Sequence, residues 1–368
     1  MKNHDLLERR KARLRQAVTW QTPDRVPVVL QYSGFAAQVT GTSMAEYLGD
    51  PQGNLDTMLA AYDRTGPADA VNYGTFWPYA LCYDFMARVK VPGVELADDD
   101  LWQVIETELM TAGDYDRLLE MGWPAFFRKF MRDRVLADVP AERLPPRWKF
   151  ADALGTWAAR GVPVLSGGNV TTPVELLCGA RSLPCFFMDL FDRPEKVARV
   201  MDEMVPHLAG NPVRRALKLG YPAVWVGGWR SAPCLLSPEM WDRFVWPYFR
   251  QLVAEVADSG LIAILHLDSD WTRELARFRE LPAHRCIMAL DGETDIFRAR
   301  EVLGDHMCLM GDVPAGLLYL GTPGEVGDYC RRLVDGLGPQ GFILHSGCDI
   351  PANARLENVQ AMLAAVAP

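Results

Sequence analysis

Short, nearly continuous hydrophobic runs recur along the chain, separated by stretches with helical periodicity. The runs are RVPVVLQY (25–32), DAVNY (69–73), PVLSGG (163–168), PAVWVGG (222–228), LIAILH (261–266), CIMAL (286–290), MCLMG (307–311) and FILHSG (342–347). Segments this apolar without strict alternation read as strands buried on both faces. The last five alternate with helical segments, which predicts βα units and a parallel sheet. Eight such units predict an α/β fold, a closed (β/α)8 TIM barrel, with a doubly wound open sheet as the alternative.

The helical stretches carry recognisable punctuation. Asn3 is a candidate cap for a charged N-terminal helix reaching about Ala17. Asp192, Pro194 and Glu195 read as N-cap, early proline and capping-box acid before EKVARVMDEMVPHLA, a region that Pro206 and Pro212 kink or break. Ser237-Pro238-Glu239 opens one long helix that ends near Gly260. Thr322 and Glu325 form another capping box, and Glu357 begins the last helix.

A barrel of this kind needs about 250 residues. The surplus falls in an N-terminal helical extension and in an insertion over 84–160, which contains WPAFFRKFMRDRVLADV. With no repeat, low-complexity segment or Gly/Ser linker, one domain over 1–368 is the economical reading.

Composition narrows the partners. The chain has 368 residues, is 49% hydrophobic and carries a net charge of -9. That size buries a large core, and the negative charge argues against nucleic acid or an anionic membrane surface as a partner. No apolar stretch is long enough to span a membrane, and the first residues lack the apolar core of a signal peptide. Eight cysteines in so long a chain do not suggest a disulfide scaffold, so reduced thiols in a cytoplasm are expected. A homodimer stays open.

Barrel enzymes work at the carboxyl ends of their strands. There the sequence puts Gln31-Tyr32, Asn72-Tyr73, Arg230, His266 with Asp268 and Asp270, Asp291, Asp312, and His345-Ser346-Gly347-Cys348-Asp349. An imidazole, a carboxylate and a thiolate suit zinc, so His266, Asp268 and Cys348 are the candidate ligands, leaving one position free. The bland alternative is a hydrogen-bonding histidine and a merely small cysteine. Asp270, Asp291, Asp312 and His345 are candidate acid-base groups; capping of the next helix is the competing role for the aspartates. Arg230 is placed to hold a substrate carboxylate or to form a rim ion pair. Tyr32, Tyr73, Trp229 and Trp271 are candidate walls of a substrate pocket, with core packing as the alternative. Cys178, Cys185, Cys234 and Cys330 look structural. No Walker sequence, GxGxxG or GxSxG elbow is present.

From about residue 20 to the end, the chain resembles the uroporphyrinogen decarboxylase superfamily, especially its corrinoid-dependent methyltransferase branch. The markers are TPDRVPV (22–28), MAEYLGDP (44–51), SPEMWDRFVWPYF (237–249), the strand ending in His266, LMGDVPAGLLYLGTPGEV (309–326) and FILHSGCDIPANARLEN (342–358). The resemblance implies a (β/α)8 barrel and, for the methyltransferase branch, a zinc held by His-x-Cys and a distal Cys. His266 and Cys348 match the outer positions, but Asp268 replaces the middle cysteine. Fewer sulfur ligands make zinc a stronger Lewis acid, which suits an oxygen or nitrogen leaving group better than a thiol nucleophile. The strand-four end, Gly227-Gly228-Trp229-Arg230, departs from the aspartates of many members. The arginine-rich N-terminal motif of true porphyrinogen decarboxylases is absent from the first 40 residues.

The implied activity is transfer of a methyl group between a small O- or N-methyl compound and cobalamin carried on a separate corrinoid protein. Alternatives are methyl transfer from a methylcorrinoid to a thiol, a metal-independent decarboxylase or lyase using Arg230 with Asp291 or Asp312, and a non-catalytic binding barrel.

Overall fold

In the computed structural model, residues 2–366 are described except Pro146 and Trp148. Among these residues ten strands run β1 (Val29–Leu30), β2 (Ala70–Val71), β3 (Arg88–Lys90), β4 (Gln103–Ile105), β5 (Ser166–Thr171), β6 (Ala223–Gly228), β7 (Ile262–Leu267), β8 (Cys286–Leu290), β9 (Cys308–Val313) and β10 (Phe342–Ser346). Strands β5 to β10 form one parallel sheet in sequence order, and β1 pairs in parallel with β2.

Two single bridges join these pieces into a ring. Val28 pairs with Leu344, and Val71 with Val164. Leu344 N–H donates to Pro27 at 2.9 Å; Val71 N–H donates to Pro163 at 3.1 Å, and Leu165 N–H returns to Val71 at 3.0 Å. The order β1-β2-β5-β6-β7-β8-β9-β10 therefore closes on itself as an eight-stranded barrel. All eight hydrophobic runs supply its strands.

Strand alternation divides the barrel's two cores. Val29, Ala70, Leu165, Ala223, Ile264, Ile287, Ala289, Cys308, Met310 and Ile343 form an inner cluster. Their neighbours Val28, Leu30, Val71, Val224, Leu265, Met288, Leu309 and Leu344 pack outward against the helices. Leu14, Ala17 and Val18 of the N-terminal helix (Lys2–Val18) join the inner cluster and plug one end. The buried Asp69, one residue before β2, fastens that end. It accepts from Val28 N–H at 2.9 Å and from Arg25 at 2.8 and 2.9 Å, and also pairs with Arg13.

Several boundaries differ from those the sequence predicts. The first helix already includes Asn3, whose side-chain amide donates to Ala159 O at 2.9 Å instead of capping. Asp192 ends the helix Leu183–Asp192, and Arg193 precedes Pro194–Met204 without a side-chain cap. The 237–260 region is two helices, Pro238–Phe244 and Trp246–Asp258, broken at Val245, because Pro247 cannot donate back into a continuous helix. Ser237 and the Thr322–Glu325 box cap as expected. The 84–160 segment holds the antiparallel β3–β4 hairpin and the helices Asp114–Met121, Trp123–Phe130 and Ala153–Ala159.

Candidate metal centre and barrel mouth

The parity that places Ile262 and Ile264 inside the barrel carries on to His266, which is buried. Asp268 stands just past the end of β7. His266 Nε2 lies 3.1 Å from Asp268 Oδ1, and the ligand atoms of His266, Asp268 and Cys348 all lie within 4.8 Å of one another. The three remote residues thus meet at the carboxyl end of the ring.

Local backbone features aim them. Ser269 adopts a left-handed φ of 73° directly after Asp268. Its N–H donates to Asp291 Oδ2 at 2.8 Å, and Thr294 Oγ1 donates to Ser269 O at 3.1 Å, so the β8 loop braces the β7 loop. On the other side, Gly347 N–H donates to Val313 O at 2.8 Å and Ser346 Oγ donates to Cys348 O at 2.6 Å. A Cβ on Gly347 would meet Asp291 O at 2.4 Å. Only glycine permits this approach, and the approach presents Cys348 beside His266.

The donor set fits zinc. Ligand distances of about 2.0–2.3 Å put two atoms on one tetrahedral ion roughly 3.3–3.8 Å apart, close to the His266–Asp268 spacing. Electrostatics points the same way. Burial favours a neutral His266, but hydrogen bonds and charge from Asp268 and Cys348 outweigh it and hold its pKa well above the ordinary value. A divalent ion held by the three residues would supply positive charge beside Asp268 and Cys348 with the imidazole neutral. Trp225 stacks on His266 with ring centroids 5.2 Å apart and braces the imidazole.

Asp349, next to Cys348 at the same strand end, belongs to the same mouth. Its carboxylate accepts from Ser33 Oγ at 2.6 Å and from Tyr73 OH at 3.4 Å, and burial pushes its pKa up. Its signal was adjacency to Cys348. Glu175, in the first turn of the helix Pro173–Arg181, is a further buried acid that the sequence does not single out. Its side chain accepts from Ser231 N–H at 2.9 Å and Ser231 Oγ at 3.0 Å.

The remaining candidates separate clearly. Tyr73 stands at the mouth through Asp349. His345 is buried inside the barrel, with Nδ1 against Ser346 O; burial, with the neighbouring His266 adding to it, lowers its pKa to about 3. Asp291 accepts from Ser269 and Glu293 N–H groups and acts as a loop brace. Asp270 is exposed and accepts from Thr272 N–H at 2.8 Å. Asp312 accepts from Tyr329 OH at 2.8 Å, so it is turned to the helix Pro323–Leu337, away from the triad. Tyr32 is fully buried, and its OH donates to Met58 O at 2.9 Å. Trp271 donates to Asp268 O at 2.7 Å and packs among Trp241, Phe249 and Phe278, so it supports Asp268 from behind. Arg230 is not free for substrate: it pairs with Glu175 at 3.2 Å and with Glu106, and its guanidinium lies 4.1 Å from the Trp229 ring centroid. Trp229 packs in turn at a tilt against Phe85, ring centroids 4.5 Å apart. A cleft of about 530 Å³ lined by Asp84, Phe127 and Asn169 lies against β5 and contains none of the triad.

The family profile for uroporphyrinogen decarboxylase (URO-D) matches residues 126–368. The chain belongs to the uroporphyrinogen decarboxylase family. Among relatives, the uroporphyrinogen decarboxylase of Syntrophotalea carbinolica is 27% identical over 210 residues, 54% of this chain and 57% of its own length. That of Geobacter metallireducens is 26% identical over 249 residues, 63% of this chain and 70% of its own. The chain thus spans little more than half of the first of these proteins. A solved methyltransferase from Methanosarcina mazei shares the fold, with a TM-score of 0.71 at 18% identity and 97% of both chains covered. The uroporphyrinogen decarboxylase match takes in β5 to β10 and so includes His266, Asp268 and Cys348; Gln31, Asn72 and Tyr73 precede it. Among the described residues no helix is long and apolar enough to cross a membrane.

Proposed function

We propose that this family member is a zinc-dependent methyltransferase that moves a methyl group between a small O- or N-methyl compound and a corrinoid protein docked over the barrel mouth. The observation that carries the reading is the convergence of His266, Asp268 and Cys348 within 4.8 Å at the open end of the ring. A bound zinc would act as a Lewis acid toward the heteroatom that loses the methyl group. The chain's own contribution is positional. Trp225 fixes the His266 ring, the Asp291 brace fixes the loop carrying Asp268, and Gly347 brings Cys348 into range. Asp349 and Tyr73 stand at the same rim, where they can orient a polar substrate.

The decarboxylase alternative finds less support in the interior. It needs cations for several carboxylates, and Arg230 is already paired with two glutamates. Asp291 and Asp312, its candidate partners, are engaged in bracing and in the Tyr329 contact. The test pairs metal analysis with methyl transfer to reduced cobalamin. The purified protein should hold one zinc per chain, and Cys348→Ala should lose both the metal and the transfer. A sample without stoichiometric metal, or a Cys348→Ala variant that still transfers methyl groups, removes the proposal.

A further inference from the structure

Among the described residues, three side chains inside the barrel mouth carry buried polar atoms with no hydrogen-bond partner: Asn72 Oδ1, Trp225 Nε1 and His345 Nε2. Orphaned buried polar atoms are rare in folded proteins, and each needs a reason. These three belong to one surface. Asn72, Trp225 and His345 each follow an inner-cluster residue by two positions, namely Ala70, Ala223 and Ile343, so strand alternation turns all three inward. The Trp225 ring reaches up to His266 and occupies the space above Gly227, where a Cβ would meet it at 1.9 Å. Asn72 and His345 are 0% and 1% exposed. None of the three is in the metal triad.

Their chemistry can be assigned atom by atom. Trp225 Nε1 only donates. The Asn72 amide already donates to Gln31 Oε1 at 2.6 Å, which leaves its oxygen as the open acceptor. His345 Nδ1 faces the carbonyl of Ser346 and must carry the proton, so Nε2 presents a lone pair. The lining thus offers two acceptors and one donor beside the triad. The basic side chain at the end of β6, Arg230, is held by Glu175 and Glu106, so it offers no counter-charge to an anion.

We infer that the methyl compound taken by this barrel is uncharged and carries an O–H or N–H group close to its methylated heteroatom, with the hydrogen donated to His345 Nε2 and an oxygen of the same molecule accepting from Trp225 Nε1. This rests on the methyltransferase reading for the identity of the compound as a methyl donor, but the recognition pattern stands on the three orphaned atoms. His345 and Trp225 are then specificity-determining residues. A permanently capped analogue leaves a buried acceptor unpaired, which is the condition under which sites discriminate strongly.

The test uses two pairs of probes matched in shape: 2-methoxyethanol against 1,2-dimethoxyethane, and 2-methoxyphenol against 1,2-dimethoxybenzene. Binding is measured by calorimetry on the full-length zinc-loaded protein, with zinc content read separately on every sample. In the wild type, the hydroxylated member of at least one pair should bind at least about tenfold tighter than its capped partner. His345→Leu should bring the two members within about threefold, whereas Trp225→Phe should weaken both equally, because the oxygen it serves is common to both. Equal binding of the members with zinc in place, binding of none of the four, or full discrimination surviving in His345→Leu overturns the inference. Should His345→Leu not fold, Trp225→Phe decides alone: unchanged affinity for both members overturns it. Loss of zinc with discrimination intact refutes the metal reading and leaves this one standing.

Discussion

Replacing Gly347 by alanine isolates the one atom that the triad's geometry cannot tolerate. The new Cβ would sit 2.4 Å from the carbonyl oxygen of Asp291 and 2.8 Å from its carbonyl carbon. Both are backbone atoms, so no side chain can swing clear. Restoring about 3.0 Å requires the β10 loop and the β8 loop to part by roughly 0.6 Å, an overpacking cost of about 1–3 kcal/mol. Metal centres tolerate ligand displacements of only about 0.2 Å. Cys348 follows Gly347 directly, and Asp291 braces the loop carrying Asp268, so the parting pulls at both sides of the triad. Zinc affinity, read by competition with a chromogenic chelator, should fall at least about tenfold, the low end for changes behind metal ligands. Thermal unfolding of the metal-free protein should drop by roughly 2–6 °C. Gly316→Ala is the control, since a Cβ there meets nothing within 4 Å and lies in the helix Ala315–Leu320. It should leave zinc binding unchanged and stability equal or slightly higher. A Gly347→Ala protein that binds zinc as tightly as the wild type and melts within a degree of it would falsify the claim that this approach positions Cys348.

Two further substitutions test the frame around the site. Asp69→Asn removes the charge shared by Arg13, Arg25 and Val28 N–H at the plugged end; it should cost about 2 kcal/mol in urea unfolding, because both arginines keep some solvent. Zinc affinity at the opposite end should stay put, and a loss there contradicts the division of roles. Asp84, whose amide partner is Asn169 at 2.8 Å, has its pKa raised by burial to about 6. A folded-state pKa above the unfolded one means stability is present at low pH and lost as pH rises through about 4 to 6. Asp84→Asn should therefore gain on the wild type between pH 4.5 and pH 7.5, by about 2 kcal/mol in denaturant midpoints. An offset that is the same at both pH values rejects this.

The barrel was legible because a strand buried on both faces must be apolar at every position, and that shows in the sequence without any alignment. Which face each residue takes was harder. Tyr32 and Gln31 are neighbours at the end of one run, and a one-residue difference in parity sends one inward and the other out. Val29 lies in the inner cluster, so Gln31 follows it inside, while Tyr32 joins the outer core with Leu30. The aromatic residue draws attention as a pocket wall; the amide is the one on the inner face. The same logic passes from Ala70 to Asn72 and from Ala223 to Trp225.

Acidic residues at strand ends posed the opposite difficulty. Asp291 and Asp312 have the composition of acid-base groups, yet each is committed to a neighbour: a loop amide and a tyrosine hydroxyl. Sequence carries residue type but not which hydrogen bonds are already taken, and a side chain whose bonds are spent has little left for a substrate. Among the described residues with buried bonds still open, Asn72, Trp225 and His345 line the wall beside His266, Asp268 and Cys348.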